Sequence, residues 1–323
     1  MSLRQNFRHT LTASFIGYIV QAIINNFAPL LFLTFQTTYA ISLDKIALLV
    51  TFNFGVQLVV DVLAAKFVDK IGYRISIVAA HLFSAAGLIG LTVLPEWFAD
   101  AYVGLLAAII LYAIGGGLIE VLISPIVEAC PTERKEAAMS LLHSFYCWGH
   151  VAVVLLSTAF FTFAGIANWK ILALIWAIIP LANAVYFSQV PLRTLTDGAE
   201  GLPFRKLAGM RIFWIMLLMM LCAGASEQAV SQWASVFAEA GLGVSKTIGD
   251  LAGPCAFAVL MGLARVFYAK FSEKVSLAPF MLLSSILCIV SYLLAALSPW
   301  PIFGLVGCAL CGLSVGIMWP GTF

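Results

Sequence analysis

The sequence predicts an all-α integral membrane protein, a bundle of about ten spanning helices in two pseudo-symmetric six-helix halves, the second of them incomplete. Three observations predict it. Apolar residues make up 63% of the chain and charged residues 10%, with a mean hydropathy of +1.05; soluble domains run near roughly half apolar and about a quarter charged. The apolar residues fall in runs of about 20 or more, the length a helix needs to cross hydrocarbon. A seven-residue pattern that closes the second run returns at the close of the eighth.

The runs occupy 10–35, 43–67, 75–94, 102–128, 137–165, 169–190, 211–237, 248–271, 277–297 and 301–323. They read as helices rather than barrel strands, because stretches such as 101–117 are continuously apolar and lack the alternation of lipid-facing strands. The first run follows Arg4 and Arg8 and has no small-residue cleavage site behind it, so it reads as an uncleaved helix and not a signal peptide. With the N-terminus in the cytoplasm, fourteen of the seventeen basic residues fall on the cytoplasmic side, and Lys45, Lys170 and Lys246 fall outside. The positive-inside rule therefore favours this topology, and the protein is expected as a multi-pass component of a bacterial cytoplasmic membrane. Seven cysteines lie mostly within the runs, and none pairs plausibly across an outer loop. Cys308-x-x-Cys311, inside an apolar helix with no histidine near it, reads as packing.

The recurring pattern is Ala65-Lys66-Phe67-Val68-Asp69-Lys70-Ile71 and Ala269-Lys270-Phe271-Ser272-Glu273-Lys274-Val275, an offset of 204 residues. It divides the chain into an N-terminal six-helix bundle at 1–190, a cytoplasmic linker at 191–208 and a C-terminal bundle at 209–323 holding helices seven to ten. By the same offset the second half stops within its own fourth helix, so the expectation is a truncated twelve-helix protein.

Ionisable and amide groups at membrane depth are costly, so each is a candidate functional group. On the second helix Asn53, Gln57 and Asp61 share one face, as do Glu120, Ser124 and Glu128 on the fourth. Such faces either border a polar interior or glue helices together. Glu120 lies about 12 Å deeper than Glu128 at 1.5 Å per residue, beside Gly115-Gly116-Gly117. A carboxyl in low dielectric exchanges its proton nearer neutrality, which makes Glu120 the first candidate for proton coupling and Glu227 the second. His143, Tyr146 and His150 share a face of the fifth helix and suit hydroxyl binding or a proton relay; no acid is spaced with them as zinc requires. On the seventh helix Glu227, Gln228, Gln232 and Trp233 offer hydroxyl-binding groups beside an aromatic ring, and Asn25 adds an amide on the first. His81 reads as a satisfied interior residue. Arg265, one repeat on from Asp61, either snorkels to the interface or pairs with an interior acid.

Asp69-Lys70-Ile71-Gly72-Tyr73-Arg74 resembles the loop between helices two and three of the major facilitator superfamily, Gly-x-x-x-Asp-Arg-x-Gly-Arg-Arg/Lys. Ala65, Lys70 and Tyr73 depart from it. Gly117-Leu118-Ile119-Glu120 with Ser124-Pro125, Leu141-Leu142-His143-Ser144-Phe145 with Gly149, Gly224-Ala225-Ser226-Glu227 with Trp233, and Asn25-Asn26 are together similar to the fucose permease branch of sugar–proton symporters. That branch places an acid shortly after its Asn pair, where this chain reads Phe27-Ala28-Pro29. The resemblance implies a major facilitator-type bundle and proton-coupled symport of a small polar solute such as a sugar. The partners it implies are that solute, the proton and the bilayer; a monomer is expected. It also supports a cytoplasmic gate of Asp61, Asp69, Lys70, Gly72, Arg74 and Glu128, in which Glu128, Asp69 and Arg74 form a latch.

No nucleotide-binding loop, catalytic triad or metal-ligand set is present in the sequence, so no enzymatic activity, cofactor or metal is expected, and no nucleic acid. Two other readings stay open: efflux of amphipathic compounds, which Met216, Met219 and Met220 would suit, and a non-transporting sensor on a carrier fold.

Overall fold

A computed structural model describes residues 6–131, 135–193, 204–271 and 273–322. Ten of its helices are long and apolar enough to cross a membrane. In chain order they are α1 (Phe7–Tyr39), α2 (Leu43–Ile71), α3 (Tyr73–Trp97), α4 (Ala101–Glu128), α5 (Lys135–Ala164), α6 (Trp169–Gln189), α7 (Arg211–Gly241), α8 (Lys246–Tyr268), α9 (Leu277–Leu297) and α10 (Pro301–Thr322). No strand occurs among the described residues. The chain packs as two compact units, Met1–Leu195 and Thr196–Phe323. Most of the linker expected at 191–208 lies outside the described residues; 204–208 form a short helix.

Local chemistry fixes the helix ends. The Asn6 side chain accepts from the Arg8 amide at 3.0 Å and Asp100 from the Tyr102 amide at 2.9 Å, satisfying donors that a helix start leaves open. Gly72 alone joins α2 to α3, and its φ of 95° is one that a side chain would strain. α1 is interrupted at Ala28–Leu31, a tighter 3-10 turn. Pro29 has no amide hydrogen and so leaves the Asn25 carbonyl without its helical donor.

In the first unit α3 packs against α4 so closely that a Cβ at Gly104 would fall 2.4 Å from the Leu94 carbonyl oxygen. Ile77, Ile119, Leu122, Ile123, Leu142 and Phe187 belong to its buried core. Many large apolar side chains face outward instead: Phe163 is 90% exposed and Leu221 68%. Water would not tolerate so much apolar surface, whereas lipid tails match it. The repeated heptads keep a local contact as well as a sequence. Lys66 lies over the Phe67 ring at 5.9 Å and Lys270 over the Phe271 ring at 5.7 Å.

Candidate functional site

In the first unit, α1 and α2 bring four amides together. The Gln57 side-chain nitrogen donates to Asn25 Oδ1 and to Asn53 Oδ1, each at 3.0 Å. Asn53 Nδ2 approaches Asn25 Oδ1 at 3.5 Å, and Gln21 Nε2 donates to Gln57 Oε1 at 3.4 Å. All four are at most 5% exposed. Gln21 was not among the sequence candidates, although it stands one turn before Asn25. Its Oε1 is buried with no hydrogen-bond partner. The break at Pro29 follows directly.

The three glycines of α4 make room on three sides. A Cβ at Gly115 would strike Ser84 Oγ at 2.3 Å. One at Gly116 would meet Ile24 at 2.9 Å and the Gln21 and Gln57 amides at 3.3 Å, and one at Gly117 the Gln57 carbonyl at 2.9 Å. Glu120, one turn further along α4, is exposed on its unit. The sequence had placed it in a low-dielectric interior; the tight packing ends with the glycines, and the longer side chain projects beyond it. Asp61, one turn beyond Gln57, is half-buried, and its Oδ1 has no hydrogen-bond partner.

Further along α1, Tyr18 lies 3.1 Å from Ser124 Oγ and edge-on to the His143 ring at 5.5 Å. Tyr146 is half-buried and packs against the core; His150 is buried. Gly149 lets α5 reach α1, since a Cβ there would meet Ala22 at 3.0 Å. His81 is fully buried and fully bonded: Nδ1 donates to the Ile77 carbonyl at 2.8 Å, and Nε2 accepts from Asn183 Nδ2 at 2.8 Å.

The expected gate is distributed differently from the latch drawn above. The Asp69 side chain lies outside the described residues. Lys70 and Glu128 are exposed, and among the described residues Arg74 makes no ion pair with Glu128. Arg74 instead donates to the carbonyls of Phe187, Ser188 and Val190 at 2.8–2.9 Å. These are the open acceptors at the end of α6, where a cation is favoured. At the opposite ends of α3 and α6, Lys170 and Glu96 pair.

In the second unit Glu227 of α7 is buried, and its Oε2 lies 3.8 Å from a terminal nitrogen of Arg265 on α8. Of the two readings for Arg265, pairing with an interior acid is the one seen. Gln232 donates to Gln228 at 3.3 Å, and Trp233 is half-buried. A further cluster was missed. Lys246 lies 3.2 Å from Glu239 and 3.1 Å from Asp250, and the Ser235 hydroxyl is 2.6 Å from Asp250. Asp250 is fully buried. An acid inside a predicted span, four residues after a lysine, was the signal available. Around it α7 and α8 open into π-turns at Phe237–Gly241 and Leu251–Cys255, a distortion common at functional sites. Met216 and Met219 are exposed. Among the described residues no group of three or more His, Cys, Asp or Glu is placed to hold a metal.

Residues 10–323 match the family described as the Major Facilitator Superfamily. The chain belongs to that superfamily. Curated protein sequences give no significant match. Among solved structures it is similar to superfamily members of low sequence identity. A D-xylose–proton symporter superposes with a TM-score of 0.70 at 15% identity, covering 97% of this chain and 80% of that one. FucP in the outward conformation gives 0.69 at 15%, covering 97% and 83%. A bacterial homolog of the human lysosomal transporter Spinster, inward-facing and occupied, gives 0.71 at 16%, covering 98% and 73%. At these identities the likeness is one of fold; the class of membrane transporter rests on the family match over residues 10–323, and neither comparison gives the solute.

Proposed function

We propose that this chain is a proton-coupled symporter of a small polar solute such as a sugar, working by alternating access. The observation that carries the reading is the amide cluster of Gln21, Asn25, Asn53 and Gln57. Four amides buried within spanning helices cost free energy unless they bond one another or a ligand. Their donors and acceptors suit hydroxyl groups, and Gln21 Oε1 has an unspent acceptor. His143, Tyr146 and His150 of the first unit, and Glu227, Gln228, Gln232 and Trp233 of the second, are assigned to the same task, with Glu227 also the second candidate for the coupled proton. Glu120 is assigned the coupled proton; its carboxyl stands clear of the packed core of its unit. Two of the similar folds belong to proteins described as a D-xylose–proton symporter and as FucP, which adds support for a sugar. The N-terminus is assigned to the cytoplasm of a bacterium and the protein to a monomer. The gate is assigned to the end carrying Asp61, Asp69, Lys70, Gly72, Arg74 and Glu128.

The test is counterflow and pH-driven uptake in proteoliposomes with a panel of pentoses and deoxyhexoses. Accumulation of one of them against its gradient when the outside is acid is expected. Glu120→Gln should abolish accumulation and spare exchange. Uphill transport unchanged in that variant removes the coupling assignment, and no sugar moved by the wild type removes the substrate class.

A further inference from the structure

The α10 helix is regular through Val315, turns at 316–317 and resumes at Met318–Thr322. Its ladder passes from the Gly316 amide bonded to Gly312 to the Gly321 amide bonded to Ile317. The step between is missing, because the residue that would donate to the Gly316 carbonyl is Pro320, which has no amide hydrogen. A buried carbonyl left in that state costs free energy comparable to a lost hydrogen bond. Arg265 Nε takes the vacant place, donating to Gly316 O at 3.0 Å. It can do so because residue 316 is glycine: a Cβ there would lie 2.7 Å from Ala264 and 2.8 Å from the Met261 carbonyl, on the turn of α8 just before Arg265. The same guanidinium lies beside Glu227, both side chains being 10% exposed.

We propose that Arg265 is a positioning residue that joins the charge of Glu227 to the broken end of α10. Its fork spans three helices: a carboxylate on α7, its own anchorage on α8 and the proline-orphaned carbonyl on α10. Planar geometry makes the two contacts interdependent, which a lysine cannot reproduce. Neutralising Glu227, by a proton or by a hydroxyl group that takes over its oxygens, releases one side of the fork and loosens 316–322. Other titratable groups nearby are Tyr292 of α9, whose hydroxyl donates to the Ser226 carbonyl at 2.7 Å, and the thiols of Cys288 and Cys311. The described part of α10 holds no charged residue. The proposal does not depend on which solute is carried.

Two readouts on the purified full chain test it without a ligand. In thermal unfolding in detergent, Arg265→Met should lower the midpoint by several degrees, and by measurably less in a Pro320→Ala background, where the new amide can serve Gly316 while Glu227 stays unpaired. Arg265→Lys should fall between, and it stands in should the methionine variant not fold. Equal losses in both backgrounds would overturn the carbonyl contact. In hydrogen exchange corrected for the intrinsic pH dependence of amide exchange, the protection of amides 317–319 and 321–322 should fall several-fold as pH falls, and Glu227→Gln should hold protection at the low level throughout. A pH response that survives in Glu227→Gln would overturn the link to the acid. Because no solute is present, failure here leaves the transport reading standing, and failure of transport leaves this one.

Discussion

The second helix of each half carries a charged residue at the same place in the repeat, and the two have opposite signs and opposite fates. Asp61 of α2 keeps a buried carboxylate oxygen with no hydrogen-bond partner. Arg265 of α8 is held by Glu227 and by the Gly316 carbonyl. The first helices differ in step. α1 tightens into a 3-10 turn beyond its amides, whereas α7 loosens into a π-turn beyond Glu227. The first unit therefore gathers neutral amides beside an unspent charge, and the second neutralises its charges internally. Sequence repetition preserved the scaffold, including the Lys–Phe contact within each of the two repeated heptads, while the polar interior diverged.

The largest effect expected from breaking this asymmetry is at the ion pair. Arg265→Glu places a second carboxylate beside Glu227 and should cost about 3–5 kcal/mol or more, the scale for leaving a buried charge unpaired. Urea or SDS unfolding of the purified protein would read it. Asp61→Asn should cost under about 0.5 kcal/mol, since it removes a charge that bonds nothing; an equal loss at both positions would erase the contrast. Next comes Gln57→Leu, which removes the donor shared by Asn25 and Asn53 and should cost about 1–3 kcal/mol for the acceptors left behind. Gly116→Val should cost a similar ~1–3 kcal/mol by overpacking against Ile24, Gln21 and Gln57, measurable by the same unfolding. The smallest is Lys70→Gln on an exposed helix end, within about 0.5 kcal/mol; a larger loss would mean that Lys70 has a bonding role its exposed position does not suggest.

Most of the architecture was readable in advance. Ten apolar runs gave ten helices, because a backbone in hydrocarbon has almost no other way to satisfy itself. The Asn53–Gln57–Asp61 face and the Gly115–Gly117 run were readable because helical period is local information. What escaped was non-local. Nothing near Arg74 in sequence says that it will serve carbonyls more than a hundred residues away, and the motif that contains it suggested an acidic partner instead. Gln21 was not among the sequence candidates, although its spacing to Asn25 placed it on the same face. Asp250 was not singled out either; it stands two residues inside the expected span 248–271, and Ser235 and Glu239, with which it clusters around Lys246, lie on another helix. Glu120 was misjudged in the other direction: depth along a helix was read as burial, and the two are separate coordinates.

The grip of Arg74 on the end of α6 carries a last consequence. A guanidinium keeps its proton at every pH a cell experiences, and backbone carbonyls have none to gain. This end of the joint between α3 and α6 is thus blind to acidity, unlike the Lys170–Glu96 pair at the opposite end, so a change in proton concentration that reaches carboxylates elsewhere leaves the Arg74 contact closed.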